Sequence, residues 1–147
     1  MNVRDKVIAV TGGAGGIGEA ITRTLCKNGA EVWVLDLRPD AAERTAEKMR
    51  ANGWRARASQ INVADENDWR RTIDDMVRVS GKVDCVVNLA AINIRKSVEE
   101  MTIEEWTQMM VVNTGSVFLS CKYVIPVMRR QGGGSIINIS SICGLVG

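Results

Sequence analysis

The sequence predicts an α/β protein built on a doubly wound parallel sheet. Three observations carry this. Short apolar runs alternate with segments of helical periodicity along the whole chain, a turn holding Gly12, Gly13, Gly15, Gly16 and Gly18 joins the first run to the first helix, and the acidic Asp36 closes the second run. Strands separated by helices imply right-handed crossovers, and hence parallel pairing.

The strands are read at "KVIAVT" (6–11), "EVWVLDL" (31–37), "RARASQIN" (55–62), "KVDCVVNLA" (82–90) and "SIINIS" (135–140). Four are continuous apolar runs, as expected of strands covered on both faces. The third is polar and is expected at a sheet edge. Helices fill the intervals. Residues 16–29 place Ile17, Ile21 and Leu25 at i, i+4 and i+8 as an apolar stripe and end at Asn28-Gly29. Residues 40–52 follow Arg38-Pro39, with Asp40 as the expected N-cap, and stop at Asn52-Gly53. Residues 65–80 start at Asp65 and direct Trp69, Ile73, Met76 and Val77 inward. A fourth helix starts near Thr102 with Glu105 completing a capping box, and continues past Asn113 to end before Gly132-Gly133-Gly134.

At 147 residues the chain has enough length for one domain with a core, and its 46% apolar and 24% charged content is that of a soluble globular protein. A net charge of +2 gives no basis for binding nucleic acid or an anionic membrane. Histidine is absent, which removes the commonest general base and the commonest zinc ligand. Cys26, Cys85, Cys121 and Cys143 form no C-x-x-C pair, so no metal site is expected and the thiols read as buried and reduced, as in a cytoplasm. No secretory signal is seen at the start. The apolar stretch from Val111 to Met128 is interrupted by Asn113, Lys122 and Pro126, and is expected to be a buried helix rather than a membrane span.

The glycine turn carries the chemistry. Gly13, Gly15 and Gly18 satisfy G-x-G-x-x-G, and Thr11, Gly12, Gly16 and Gly18 satisfy T-G-x-x-x-G-x-G. Without Cβ atoms the backbone can turn sharply and approach a pyrophosphate, which the N–H groups and positive dipole end of the following helix favour. Asp36, 18 residues past Gly18, is placed to accept hydrogen bonds from an adenosine ribose. Its charge opposes a 2′-phosphate and no Lys or Arg lies inside the turn, so NAD is expected over NADP, although Arg38 is near in sequence.

These residues resemble the short-chain dehydrogenases/reductases, whose cofactor turn matches Thr11, Gly12, Gly16 and Gly18. The family's N-N-A-G element corresponds to Asn88-Leu89-Ala90-Ala91, with two of its positions changed. Its Asp-Val pair near adenine corresponds to Asn62-Val63, its helix asparagine to Asn113, and its active-site serine to Ser141 in "SIINISS". The resemblance implies a Rossmann-type sheet, truncated here after its fifth strand, with residues 1–147 an incomplete dinucleotide-binding domain. It implies cofactor contacts from Thr11, Gly12, Gly15, Gly16, Ile17, Gly18, Asp36, Leu37, Asn62, Val63, Asn88 and Ala90, and catalytic roles for Ser141 and Asn113. The implied reaction is hydride transfer between a nicotinamide and an alcohol or ketone, in a cytoplasmic dimer or tetramer.

The family's Y-x-x-x-K pair is missing. Tyr123 is the only tyrosine and Val127 stands four residues on, so Tyr123 reads as a helix-packing residue. A non-catalytic dinucleotide-binding module or inactive fragment is therefore the alternative, with a methyltransferase as a third reading. The fifth strand is expected to present an unpaired edge.

Overall fold

The computed structural model describes residues 2–144, apart from the Cys143 side chain. Its elements run β1 (Val7–Thr11), α1 (Gly16–Lys27), β2 (Glu31–Asp36), α2 (Pro39–Ala51), β3 (Arg55–Gln60), α3 (Glu66–Ser80), β4 (Cys85–Asn88) and α4 (Ile103–Met110). A π-helical turn (Val111–Gly115), α5 (Ser116–Arg130), β5 (Ser135–Asn138) and a 3₁₀ turn (Ile142–Gly144) follow. Every strand pair is parallel and the order is β3-β2-β1-β4-β5. The chain leaves β1 in one direction for β2 and β3, then returns to the other side for β4 and β5. This reversal opens a crevice beyond the carboxyl ends of β1 and β4, where such sheets bind ligands.

Alternating side chains divide the strands between two cores. Val7, Ala9, Trp33, Leu35 and Val86 face Trp69, Ile73 and Met76 of α3 and Val124, Val127 and Met128 of α5. Ile8, Val10, Val32, Val34 and Val87 face Cys26 of α1 and Ala42, Ala46 and Met49 of α2. This burial on both faces explains why the strands read as unbroken apolar runs. The polar β3 lies at one edge, as its sequence predicts. At the other edge β5 pairs with β4 alone among the described residues, and Ile137 and Ile139 are each 46% exposed.

Helix ends follow local chemistry. The Asp65 side chain accepts from Asp68 N at 2.9 Å to cap α3, and Thr102 and Glu105 form the reciprocal capping box of α4. Three expectations need correction. Asp40 is not the N-cap of α2: Arg38 holds that position, because Pro39, with φ preset and no N–H to satisfy, occupies the first helical position. In α1 the buried line is Gly18, Thr22 and Cys26, while Ile17 is 68% exposed and Ile21 and Leu25 are only half-buried. The close approach of Gly18 to the turn rotates the stripe by one position. The Val111–Met128 stretch is not buried all round either. Ser116, Ser120, Val124, Val127 and Met128 face the sheet, whereas Phe118 and Ile125 are exposed. By length and composition alone, the helical stretch Ile103–Arg130 would also suffice to cross a membrane.

Candidate functional site

Beyond the carboxyl ends of β1, β2 and β4 lies an open cleft of about 1150 Å³. Its floor is the glycine turn. Gly12 has φ +65°, and a Cβ there would stand 3.2 Å from Ala90 Cα, so the turn lies directly against the exit of β4. A Cβ on Gly18 would stand 2.1 Å from the Gly12 carbonyl oxygen, which no side chain can satisfy. Gly16 differs: a Cβ there would meet nothing within 4 Å, and the residue lines the cleft. No side chain caps the start of α1. The helix therefore presents first-turn N–H groups and its positive dipole end to a concavity bounded by Gly12, Gly15, Gly16, Ile17 and Gly18. Bare main chain, an open cradle and an uncapped helix start suit an anionic pyrophosphate.

Asp36 ends β2 at 7% exposure. One carboxylate oxygen accepts from Ala14 N at 3.3 Å, tying the strand to the glycine turn. The other accepts from Arg38 N at 3.1 Å and Arg38 Nε at 3.4 Å. Asp36, Leu37 and Arg38 all line the cleft. Asn62, Val63 and Ala64 form the next part of the wall. They are held from behind: Asn62 N donates to Asp68 Oδ2 at 2.8 Å and Trp69 Nε1 donates to Val63 O at 2.9 Å. Asn62 Oδ1 accepts from Ala64 N at 3.1 Å and retains a second lone pair.

Thr11 and Asn88 lie behind the cleft wall rather than in it. The Thr11 hydroxyl accepts from Leu89 N at 3.0 Å and Ala90 N at 3.1 Å and donates to Val87 O at 3.4 Å, fixing the backbone from which Ala90 lines the cleft. Asn88 is buried and its Nδ2 donates to Asn138 Oδ1 at 2.8 Å, linking β4 to β5, while its own Oδ1 has no partner among the described residues. Asn113 sits in the π-helical turn. Its Oδ1 accepts from Ile92 N and its Nδ2 donates to Ile92 O, both at 2.9 Å, so the amide clasps the loop leaving β4. Ser141 is exposed just beyond β5, and its carbonyl accepts from Gly144 N at 3.0 Å. Neither Asn113 nor Ser141 lines the cleft.

One wall escaped the sequence reading. Ile103, Glu104, Thr107, Gln108, Val111 and Val112 of α4 and the π-helical turn also line the cleft. Their i, i+4 spacing was visible, but a stripe of mixed polarity reads as an ordinary surface.

A family model described as short chain dehydrogenase matches residues 6–147. The chain belongs to the short-chain dehydrogenase family. It is 37% identical over 145 residues to the cyclopentanol dehydrogenase of Comamonas sp., covering 99% of this chain and 58% of that protein. It is 34% identical over 144 residues to the cyclohexanol dehydrogenase of an Acinetobacter species, covering 97% of this chain and 57% of the relative. A crystal structure of a short-chain dehydrogenase/reductase from Burkholderia xenovorans superposes with a TM-score of 0.94 at 33% identity, covering 99% of this chain and 60% of the other. The chain thus spans a little under 60% of the length of the curated relatives it matches. Membership in this family leaves the methyltransferase reading without support.

Two of the thiols, Cys26 and Cys85, agree with an inert role. Burial pushes Cys26 up to about 11 and raises Cys85 above its ordinary value, so neither is a ready thiolate.

Proposed function

We propose that residues 1–147 are the dinucleotide-binding portion of an oxidoreductase that moves hydride between a nicotinamide and an alcohol or ketone. The observation that carries this reading is the cleft itself: an uncapped helix start behind a side-chain-free cradle, with the Asp36 carboxylate on the adjoining strand. Gly12, Gly15, Gly16, Ile17 and Gly18 would hold the pyrophosphate. Asp36 would hold the adenosine ribose, while Leu37, Asn62, Val63 and Ala90 would surround the adenosine. Thr11 and Asn88 act by holding the exit of β4. NAD is the preferred form, since Asp36 opposes a 2′-phosphate. The bound nicotinamide supplies or accepts the hydride. Ser141 donates a hydrogen bond to the substrate oxygen, and Asn113 keeps the loop at Ile92 in place beside it.

Tyr123 is no base in this reading. Its hydroxyl donates to Glu66 Oε1 at 2.7 Å, and that hydrogen bond raises its pKa, opposite to the shift a proton acceptor requires. With no Y-x-x-x-K pair among these 147 residues, they are expected to bind dinucleotide without turnover, which keeps a non-catalytic binding module as the second reading. We place the protein in the cytoplasm as a homo-oligomer. Trp106, Phe118 and Ile125, exposed along one helical stretch, supply apolar surface for self-association, and light scattering would report its stoichiometry.

Titration calorimetry with NAD tests the central claim. Saturable 1:1 binding that is lost on replacing Asp36 by Ala agrees with it. An absence of binding heat, checked against unchanged fluorescence, defeats it.

A further inference from the structure

A second hollow shares no residue with the nucleotide cleft. Its volume is about 430 Å³, and it is lined by Arg23 of α1, by Lys48, Met49 and Ala51 of α2, and by Asn52 and Trp54 between α2 and β3. Two cations line it and, among the described residues, no acidic side chain does.

The cations are only partly engaged. Arg23 Nη2 meets Glu19 Oε1 at 3.1 Å, and Lys48 Nζ meets both oxygens of the same carboxylate at 3.2 Å. Two positive charges thus share one negative charge. Glu19 is outside the lining, so the hollow faces the cations rather than their counter-ion. One guanidinium N–H of Arg23 is committed, and the fork carries four more. The side chains of Arg23 and Lys48 are 59% and 60% exposed, which leaves them free to re-aim. Beside them the lining is apolar. Trp54 is half-buried and packs on the core beneath α1 and α2, and Met49 is buried in that core. Trp33 and Trp69 donate their indole N–H groups to Ser80 Oγ and Val63 O, whereas the Trp54 indole has no acceptor among the described residues.

We propose that this hollow binds a small aromatic carboxylate. The flat apolar body would lie against Trp54 and Met49, and the carboxylate would take charge-assisted hydrogen bonds from Arg23 and Lys48, with the indole N–H as a further donor. An apolar patch alone does not select charge, and a pair of cations alone does not select an aromatic body. Their combination specifies the ligand class. The site stands independently of the dinucleotide reading.

The test follows the tryptophan indole N–H resonances of the isotope-labelled protein during titration with 2-naphthoate. The Trp54 resonance is identified as the one absent from Trp54→Phe. Naphthalene-2-methanol supplies the same body without charge, and acetate supplies the charge without the body. The Trp54 resonance is expected to move saturably with 2-naphthoate, with a Kd of about 1 mM or tighter, and each control to bind at least about tenfold more weakly. Replacing Arg23 and Lys48 together by Gln should weaken 2-naphthoate by about tenfold or more, with unmoved Trp33 and Trp69 resonances showing that the fold is kept. Should the double variant not fold, Lys48→Gln alone is read for a loss of about threefold. Added salt should weaken binding in the parent more than in the variant, and saturating NAD should leave it unchanged. A Trp54 resonance that does not move, equal affinity for naphthalene-2-methanol, or undiminished affinity in the variant overturns the site. Displacement by NAD also overturns it, by placing the acid in the cleft, and leaves the dinucleotide reading intact.

Discussion

On the β1–β2 side of the cleft, main-chain groups approach until no side chain fits. A Cβ on Gly18 would stand 2.1 Å from the Gly12 carbonyl oxygen, and one on Gly13 would stand 2.8 Å from the Val10 carbonyl oxygen. On the β4–β5 side, side-chain amides do the holding. Asn88 binds Asn138, and Asn113 clasps both main-chain groups of Ile92. Cover differs in the same sense. β1 and β2 are buried on both faces, whereas Ile137 of β5 and Ile139 just beyond it are half exposed. The glycine-turn side is thus packed by close main-chain approach that leaves no room for side chains at Gly13 and Gly18. The side bearing Ser141 depends on a few replaceable hydrogen bonds, and such segments open first in local unfolding.

The largest effect should come from the glycines, and they separate stability from binding. Gly18→Ala forces main chain apart and is expected to destabilise by about 3 kcal/mol or more, beyond the usual cost of an added methyl in a packed site, with loss of nucleotide binding. Gly16→Ala adds a methyl in open space at the start of a helix. It should leave the thermal midpoint unchanged or slightly raised, yet abolish binding of NAD by blocking the cradle. Equal melting of the two variants would break the contrast between an excluded side chain and an open cradle.

Next come two polar substitutions across the cleft. Thr11→Val leaves Leu89 N and Ala90 N without their acceptor, at a cost of about 1–3 kcal/mol for unsatisfied buried donors. Asn113→Ala releases an exposed clasp and should cost at most about 1 kcal/mol, while amide exchange near Ile92 accelerates. Chemical denaturation gives the first quantity and hydrogen exchange the second.

A smaller effect lies on the seam between the two sides. Asp84 joins β1 to β4 and β5: one carboxylate oxygen accepts from Val7 N, Lys6 and Lys82 lie within ion-pair distance, and its carbonyl accepts from Ser135 N. Burial by itself would raise its pKa, but the hydrogen bonds from Lys82, Val7 N and Lys6 outweigh that and hold it below its ordinary value. Its stabilising contribution is therefore complete above the unfolded value of about 4 and is lost as pH falls through the lower folded value. Asp84→Asn should flatten the acid limb of the thermal midpoint against pH below about 4, and an unaltered limb would assign that limb to other carboxylates. The smallest effect is Tyr123→Phe. It removes one exposed hydrogen bond to Glu66 and is expected to change stability by less than about 1 kcal/mol and nucleotide binding not at all.

Where a residue's role is local, the sequence was mostly readable, the cap at Asp40 being displaced by Pro39 at the first helical position. The capping box at Thr102 and Glu105, the Asp65 cap and the Gly29 and Gly53 stops depend on neighbours within a turn, and each is present. The reading failed where two distant segments compete for one surface. The Ile17, Ile21, Leu25 stripe obeys helical spacing, yet Gly18 faces inward because the helix must approach the glycine turn. The α4 wall of the cleft carries no local signal, because Thr107 and Gln108 become lining residues only when α4 packs beside the glycine turn and the ends of the strands.

The order of strands and helices, the parallel sheet, the polar edge at β3 and the glycine turn ending in a helix were determined by the sequence alone, since periodicity and missing Cβ atoms act over short stretches. Only the tertiary structure decided that Thr11 and Asn88 support the wall from behind and that Asn113 clasps Ile92. Those outcomes depend on which donors and acceptors from distant segments meet when the sheet closes, and no local pattern encodes that meeting.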